Sequence, residues 1–152
     1  MRSVNGGLIA TTMHDTIFTM IGRVTEERIR VRYAETDMMG HAYYANTFIW
    51  FEQARSTYFR ERGIPYKEIE ARGFKFPVVE AQARYKGEVK YDDEITVRVW
   101  AAEMKRAAVR LNYEVVLEGE VVTEGYTWHV CVGSAFKAVT LPEFLRELIE
   151  QA

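Results

Sequence analysis

The stretch YAETDMMGHAYYAN, residues 33–46, stands directly before the most apolar helix that the sequence predicts. It places Asp37 in a loop a few residues ahead of that helix, and Gly40 allows a tight turn or the close approach of a ligand. A helix start offers unpaired backbone N–H groups and the positive end of the helix dipole. A carboxylate beside such donors suits acyl transfer, because the donors hold the developing oxyanion while the carboxylate attacks or activates water.

The helix after this stretch is predicted over residues 46–62. Asn46 can serve as its N-cap, since its side-chain oxygen can accept a hydrogen bond from an otherwise unpaired amide. Gly63 suits the left-handed position just past the end, and Pro65 prevents continuation. Residues 48–51 are all apolar, and only the C-terminal half carries a charged face. The start of this helix is therefore expected to be buried on most sides.

Alternating apolar and polar residues predict five strands around this helix. Their expected ranges are 27–33, 78–90, 94–104, 107–117 and 121–139, with a short helix over 65–72 and a last one from Pro142. The short turns between long strands indicate antiparallel pairing. A long antiparallel sheet beside one apolar helix predicts an α+β fold in which the sheet wraps the helix. Residues 1–23 lack clear periodicity, so they are interpreted as an N-terminal extension to a domain of residues 24–152.

Composition narrows the classes of function. The 152 residues suit one domain, and a net charge of −2 gives no strong field toward nucleic acid or an anionic membrane. The only cysteine, Cys131, excludes an intrachain disulfide and fits a reducing cytoplasm. No apolar run approaches the roughly 20 residues of a membrane span, so no membrane insertion is expected. Three scattered histidines and one cysteine give no metal-ligand spacing, which predicts no metal site.

The same residues carry a resemblance to a known family. They are Tyr33, Thr36-Asp37, Gly40, Tyr43, Asn46 and Phe51-Glu52-x-Ala54-Arg55. This pattern resembles the signature of hot-dog proteins of the 4-hydroxybenzoyl-CoA thioesterase type, and the similarity extends over about residues 27–150. The signature is specific for the family and poor for the substrate. It implies a five-stranded, mainly antiparallel sheet wrapped around a long central helix.

The resemblance also implies an activity. It predicts an acyl-CoA thioesterase that converts a thioester and water into a carboxylic acid and free CoA. Asp37 would be the nucleophile or the general base, and the backbone N–H of Tyr44 would polarise the thioester carbonyl. One branch of the family has His where this chain has Tyr44, and a tyrosine side chain, with a pKa of about 10, cannot copy an acid or base role near pH 7. No cofactor is expected beyond the CoA of the substrate.

Substrate contacts and assembly are implied in the same way. Gly40 and His41 would lie beside the substrate, although an exposed loop imidazole is the alternative for His41. The residues that match the acyl-pocket region are Tyr66, Phe76, Pro77 and Val78, and those that match contacts to the CoA phosphates are Lys105, Arg106 and Arg110. Family members assemble as dimers of hot dogs, often as tetramers, with the active site at the subunit interface.

Other interpretations of the same residues remain open. Asp37 could be a turn residue only, and Glu52 on the helix is the rival carboxylate, although a structural role suits it better. His129 and Cys131 lie within a predicted strand, which favours a hydrogen-bonded structural histidine and a buried thiol. Two other functions fit the same fold: a non-catalytic acyl-CoA-binding module, and a dehydratase, whose catalytic His motif is not found here.

Overall fold

The computed structural model describes the strands β1 (Thr11–Met13) and β2 (Thr16–Phe18) and then residues 20–152. The two short strands pair as an antiparallel hairpin. The remainder of the predicted extension before residue 20 lies outside the described residues. Residues 21–23, which the prediction assigned to that extension, form the beginning of the next strand.

One five-stranded sheet organises the rest of the chain. Its strands are β3 (Ile21–Arg30), β4 (Val78–Tyr85), β5 (Glu94–Met104), β6 (Ala108–Leu117) and β7 (Glu120–Val130). They lie in the order β3-β5-β6-β7-β4, and every neighbouring pair is antiparallel. The helices are α1 (Asn46–Glu61), α2 (Tyr66–Ala71) and α3 (Glu143–Glu150). The predicted α+β fold, a five-stranded antiparallel sheet with one long helix, is confirmed.

The long helix α1 packs on one face of this sheet. Phe51 is fully buried, and its ring stacks on that of Tyr113 in β6 with centroids 4.1 Å apart and planes 8° apart. Gly125 in β7 is the cross-strand partner of Tyr113 and lies against the same helix residue. A Cβ at Gly125 would overlap the carbonyl oxygen of Gln82 and lie 2.8 Å from the Phe51 ring. The helix therefore approaches the sheet at a place where only a glycine leaves room.

The predicted helix start was wrong in one detail. Ala45, not Asn46, is the residue before α1, and Asn46 is its first helical residue. The Asn46 side chain caps nothing; its Nδ2 group donates instead to the carbonyl oxygen of Glu35 at 2.8 Å. The other end agrees with the prediction, because Gly63 has φ +88° directly after the helix.

Candidate active site

Asp37 occupies a closed turn before α1. Its N–H donates to the carbonyl oxygen of His41 at 2.9 Å, and the N–H of Gly40 donates to the carbonyl oxygen of Asp37 at 3.0 Å. Gly40 has φ +81°, a conformation that an L-residue rarely adopts. One carboxylate oxygen, Oδ1, accepts the N–H of Met39 at 2.9 Å. The turn therefore orients the half-buried carboxylate through its own backbone.

Glu35 fastens this turn to the helix. Its side chain is buried; Oε1 accepts the N–H of Arg32 at 2.8 Å, and Oε2 accepts the indole N–H of Trp50 at 2.8 Å. Its carbonyl oxygen accepts the N–H of Tyr43 at 2.7 Å and the Asn46 amide group. Four hydrogen bonds thus converge on the residue two positions before Asp37. We call this group of contacts the Glu35 clamp.

The charge of Glu35 suits a structural role. Burial by itself would raise the pKa of this carboxyl, but the hydrogen bonds from Arg32 and Trp50 and the positive charge of Arg32 outweigh burial and hold the pKa below its usual value. Glu35 is therefore ionised at neutral pH and positions Asp37 rather than donating protons. No spacing or periodicity in the sequence marks Glu35 as part of the site.

The start of α1 offers hydrogen-bond donors next to the turn. The N–H groups of Tyr44 and Ala45 have no backbone acceptor among residues 20–152, whereas the N–H of Asn46 donates to Tyr43. The carbonyl oxygen of Tyr44 is held by the hydroxyl of Tyr85 at 2.7 Å. This bond orients the peptide between Tyr44 and Ala45, and residue 44 as a whole remains 60% exposed. A backbone N–H at a helix start that has no internal acceptor is suited to hold an oxyanion.

Asp37 and this helix start share one cavity of about 190 Å³, which we call the Asp37 cavity. Its lining includes Asp37, His41, Tyr44, Trp50 and Tyr85. His41 Nε2 lies 3.1 Å from a carboxylate oxygen of Glu88, so its ring pairs with that side chain. The structure therefore brings together a carboxylate, a donor-bearing helix start and space for a ligand.

A second cavity, of about 150 Å³, contains two of the predicted acyl-pocket residues, Tyr66 and Phe76. The hydroxyl of Tyr66 accepts the N–H of Phe76 at 3.0 Å. Pro77 and Val78 do not line this cavity. Arg55 and His129 do line it, although a structural role was expected for His129 and no ligand-binding role was expected for Arg55. We call this second cavity the Arg55 pocket.

The predicted CoA contacts lie elsewhere. Lys105 is 4.7 Å from the centre of the Trp128 ring, and Trp128 is the cross-strand partner of Arg110. Arg106 donates to the Thr140 hydroxyl at 2.8 Å. None of the three basic residues lines the Asp37 cavity. Their role toward CoA stays a prediction.

Two predictions for β7 and its end are confirmed. His129 is 2% exposed and both ring nitrogens have hydrogen-bond partners. Burial, followed by the nearby charge of Arg55, lowers the pKa of His129 to about 4, so the ring is neutral at pH 7. Cys131 is fully buried, and burial raises the pKa of its thiol to about 11, which keeps it protonated and a poor nucleophile.

Two further features concern metals and membranes. Within the part of the chain that the structure describes, no three His, Cys, Asp or Glu side chains gather as metal ligands would. None of the described helices combines the length and apolarity that a membrane crossing needs.

Known proteins resemble this chain over most of its length. Residues 31–149 match the family described as the thioesterase-like superfamily. A Bacillus subtilis (strain 168) protein named "Putative acyl-CoA thioesterase YneP" is 31% identical over 118 residues, which cover 76% of this chain and 86% of that protein. The crystal structure of a DHNA-CoA thioesterase from Staphylococcus aureus superimposes with a TM-score of 0.76 at 32% identity, covering 82% of this chain and 85% of that one. A hypothetical protein from Thermus thermophilus gives a TM-score of 0.79 at 34% identity, covering 82% and 96%. The chain therefore belongs to the thioesterase-like superfamily, as a hot-dog enzyme that hydrolyses thioesters.

Proposed function

We propose that this protein is an acyl-CoA thioesterase and that the reaction takes place in the Asp37 cavity. The observation that carries this proposal is the shared cavity of the Asp37 carboxylate and the N–H-bearing start of α1. The names of the Bacillus and Staphylococcus relatives support CoA as the carrier. The products are a carboxylic acid and free CoA.

The chemistry follows from the positions of these groups. The thioester carbonyl oxygen accepts the N–H of Tyr44, which holds the negative charge that develops on that oxygen; one such donor contributes about 10²- to 10³-fold in rate. Asp37 then acts in one of two ways. As nucleophile it attacks the carbonyl carbon, expels the CoA thiolate and leaves a mixed anhydride that water hydrolyses. As general base it takes a proton from the water that attacks.

A second copy of the chain completes the proposed enzyme. Strand β4 is the last strand of the sheet, and Val78 and Val79 at its beginning are 46% and 61% exposed. Antiparallel pairing of β4 with β4 of a second copy would extend the sheet and bury these residues. The proposed assembly is this dimer, which can pair further into a tetramer. The basic residues Lys105, Arg106 and Arg110 are the proposed contacts for the CoA phosphates, and the proposed location is the cytoplasm.

The test of the function replaces Asp37 and follows release of free thiol from a panel of acyl-CoA thioesters. Asp37→Asn and Asp37→Ala are expected to lower kcat by about 10³-fold or more, because either change removes the nucleophile or base. Their thermal midpoints should match the wild type, since the side chain lies in a surface turn. Asp92→Asn is the matched control, because Asp92 lies in another turn and does not line the Asp37 cavity.

Two results would contradict the proposal. Unchanged turnover in both Asp37 variants would remove Asp37 from the mechanism. Tight binding of acyl-CoA by the wild type without turnover of any thioester in the panel would favour the non-catalytic binding module instead.

A further inference from the structure

The Arg55 pocket has polar chemistry that the proposed mechanism does not use. Its walls include the aromatic side chains Phe59, Tyr66 and Phe76. A cavity of about 150 Å³ is large enough to hold a benzene ring. The pocket therefore suits a flat or slender hydrocarbon group. Its polar residues determine which functional group the end of that hydrocarbon can carry.

A chain of hydrogen bonds runs from Arg55 into the sheet. Arg55 Nη1 donates to the Tyr113 hydroxyl at 3.1 Å, and that hydroxyl lies 2.7 Å from Thr127 Oγ1. Thr127 Oγ1 lies 2.7 Å from His129 Nε2, and His129 Nδ1 lies 3.1 Å from the carbonyl oxygen of Phe76. A carbonyl oxygen only accepts, so Nδ1 carries the proton and Nε2 accepts. Each hydroxyl therefore donates toward the histidine, and the chain fixes the Arg55 guanidinium from one side only.

The charge of Arg55 has no counter-ion in the described part of the chain. A guanidinium has five N–H donors, and one of those of Arg55 is bound to Tyr113. No carboxylate lies within 4.0 Å of it; Glu52 lines the same pocket without forming an ion pair. His129 is neutral and supplies no negative charge. The pocket thus presents a guanidinium that forms no ion pair with the described residues, for which a carboxylate is the matching ligand because its two oxygens fit the guanidinium fork.

Within one copy, this pocket faces away from the Asp37 cavity. An α-helix turns about 100° per residue, so Trp50, which lines the Asp37 cavity, lies on the opposite flank of α1 from Arg55 and Phe59. Along the sheet the two cavities also lie at opposite ends of β4, one beside Tyr85 and the other beside the residues that precede Val78. An acyl group held at Asp37 would have to pass around the helix to enter the Arg55 pocket of its own chain.

The proposed dimer changes this relation. Antiparallel pairing of two β4 strands about a two-fold axis places the Tyr85 end of one copy beside the Val78 end of the other. The Asp37 cavity of one copy then adjoins the Arg55 pocket of the second copy. Each active site would consist of the catalytic turn of one chain and the pocket of its partner.

We propose that the Arg55 pocket receives the far end of the acyl group bound at Asp37 of a second copy, and that this end carries a carboxylate. The substrate class is thus the mono-CoA thioester of a dicarboxylic acid. The inference rests on the proposed function and narrows its substrate. The aromatic walls hold the hydrocarbon part of the acyl group, and Arg55 binds the free carboxylate at its end.

The test compares two thioesters of similar size, 4-carboxybenzoyl-CoA and 4-methylbenzoyl-CoA. We expect wild-type kcat/KM to favour the carboxylated substrate at least tenfold. Arg55→Gln should lower kcat/KM for that substrate by on the order of 10- to 100-fold, because a hydrogen-bonded charge is lost, and should bring the ratio of the two substrates near one. Arg55→Lys keeps the charge without the fork and should retain part of the preference. Arg60→Gln, which removes an equal charge from the exposed side of the same helix, should leave the ratio unchanged.

The outcomes separate this inference from the proposed function. A wild-type ratio near one, or an equal loss on both substrates in Arg55→Gln, would overturn the carboxylate assignment while the Asp37 chemistry stood. 4-Hydroxybenzoyl-CoA is measured as a third substrate, and a preference for it over the other two would overturn the assignment as well, in favour of an uncharged polar end. Full turnover in both Asp37→Asn and Asp37→Ala would remove the proposed mechanism, whatever the ratio. Should Arg55→Gln unfold, the ratio of kcat/KM for the two substrates is measured in Arg55→Lys instead. A ratio equal to that of the wild type would contradict recognition of the carboxylate by the two-pronged guanidinium of Arg55.

Discussion

Glu35 is a buried carboxylate whose hydrogen bonds hold the turn that carries Asp37. It accepts hydrogen bonds from the Arg32 N–H and from the Trp50 indole with two different oxygens. Glu35→Gln leaves one of these donors without an acceptor, and an unpaired buried donor costs about 1–3 kcal/mol. We expect urea titrations to show that loss in the free energy of unfolding. We also expect kcat to fall more than KM changes, because the turn that carries Asp37 loosens.

The size of this effect depends on pH. The pKa of Glu35 is lowered in the folded protein, so its stabilising contribution is fully present above the usual carboxyl pKa and fades as the pH falls through the lower folded-state value. The stability gap between wild type and Glu35→Gln should therefore narrow in acid. Trp50→Phe removes the indole N–H that donates to Glu35. We expect the double variant to lose less free energy of unfolding than the sum of the two single variants, because both changes remove the same hydrogen bond. Additive losses would show that the Glu35 clamp does not act as a unit.

At the scale of residues, the sequence predicted those parts of the candidate site that lie close together along the chain. Asp37, Gly40 and Tyr44 stand within eight positions, and the structure places all three around one turn and one helix start. The partners of Arg55 could not be predicted in this way. His129 lies 74 positions after Arg55, and only the pairing of β6 with β7 brings the two into one chain of hydrogen bonds.

Among the elements, the contact of α1 with β7 depends on one glycine. A Cβ at Gly125 would overlap the Gln82 carbonyl oxygen and press on the Phe51 ring, and neither the neighbouring strand nor the stacked ring can move freely. Gly125→Ala should therefore destabilise the fold by about 1–3 kcal/mol, as overpacking does in other cores. Thermal unfolding measures this loss. Gly119→Ala is a poor match because Gly119 has φ +81°, so Gly133→Ala, where the nearest atom lies at 3.3 Å, is the control and should cost much less.

A comparison of predicted and observed strand ends shows which sequence patterns are sufficient to locate the end of a strand. The alternation of residues 94–104 gave β5 with the correct ends, because both ends coincide with turns. The predicted strand over 121–139 was too long: β7 ends at Val130, although apolar residues continue beyond it. Val132 pairs instead with Lys75 and Ala138 as isolated bridges. The predicted strand 27–33 was misplaced, because β3 runs from Ile21 to Arg30. Alternation is weak at the beginning of this strand, so its length follows from pairing with β5 and not from the sequence pattern.

At the scale of the whole molecule, one copy of the chain keeps two cavities apart that the proposed dimer would join. The Asp37 cavity and the Arg55 pocket lie on opposite flanks of α1, and β4 ends the sheet between them. This arrangement makes oligomerisation a requirement of the proposed catalysis rather than an added source of stability. The activity should therefore depend on protein concentration in the range where the dimer dissociates.

A charge on β4 tests this requirement directly. Val79 is 61% exposed, so Val79→Glu costs little within one copy, but the proposed pairing would bury a carboxylate in the seam between two edge strands, where its loss of hydration weakens the pairing. We expect sedimentation equilibrium to give a mass near 17.7 kDa for this variant and a mass of about two or four times that for the wild type, as a dimer or a tetramer requires. Turnover of acyl-CoA should fall together with the dimer fraction. Val79→Thr, which keeps the branched shape without a charge, should remain dimeric and active. A fully active Val79→Glu monomer would show that one copy suffices, and the shared active site would then have to be abandoned.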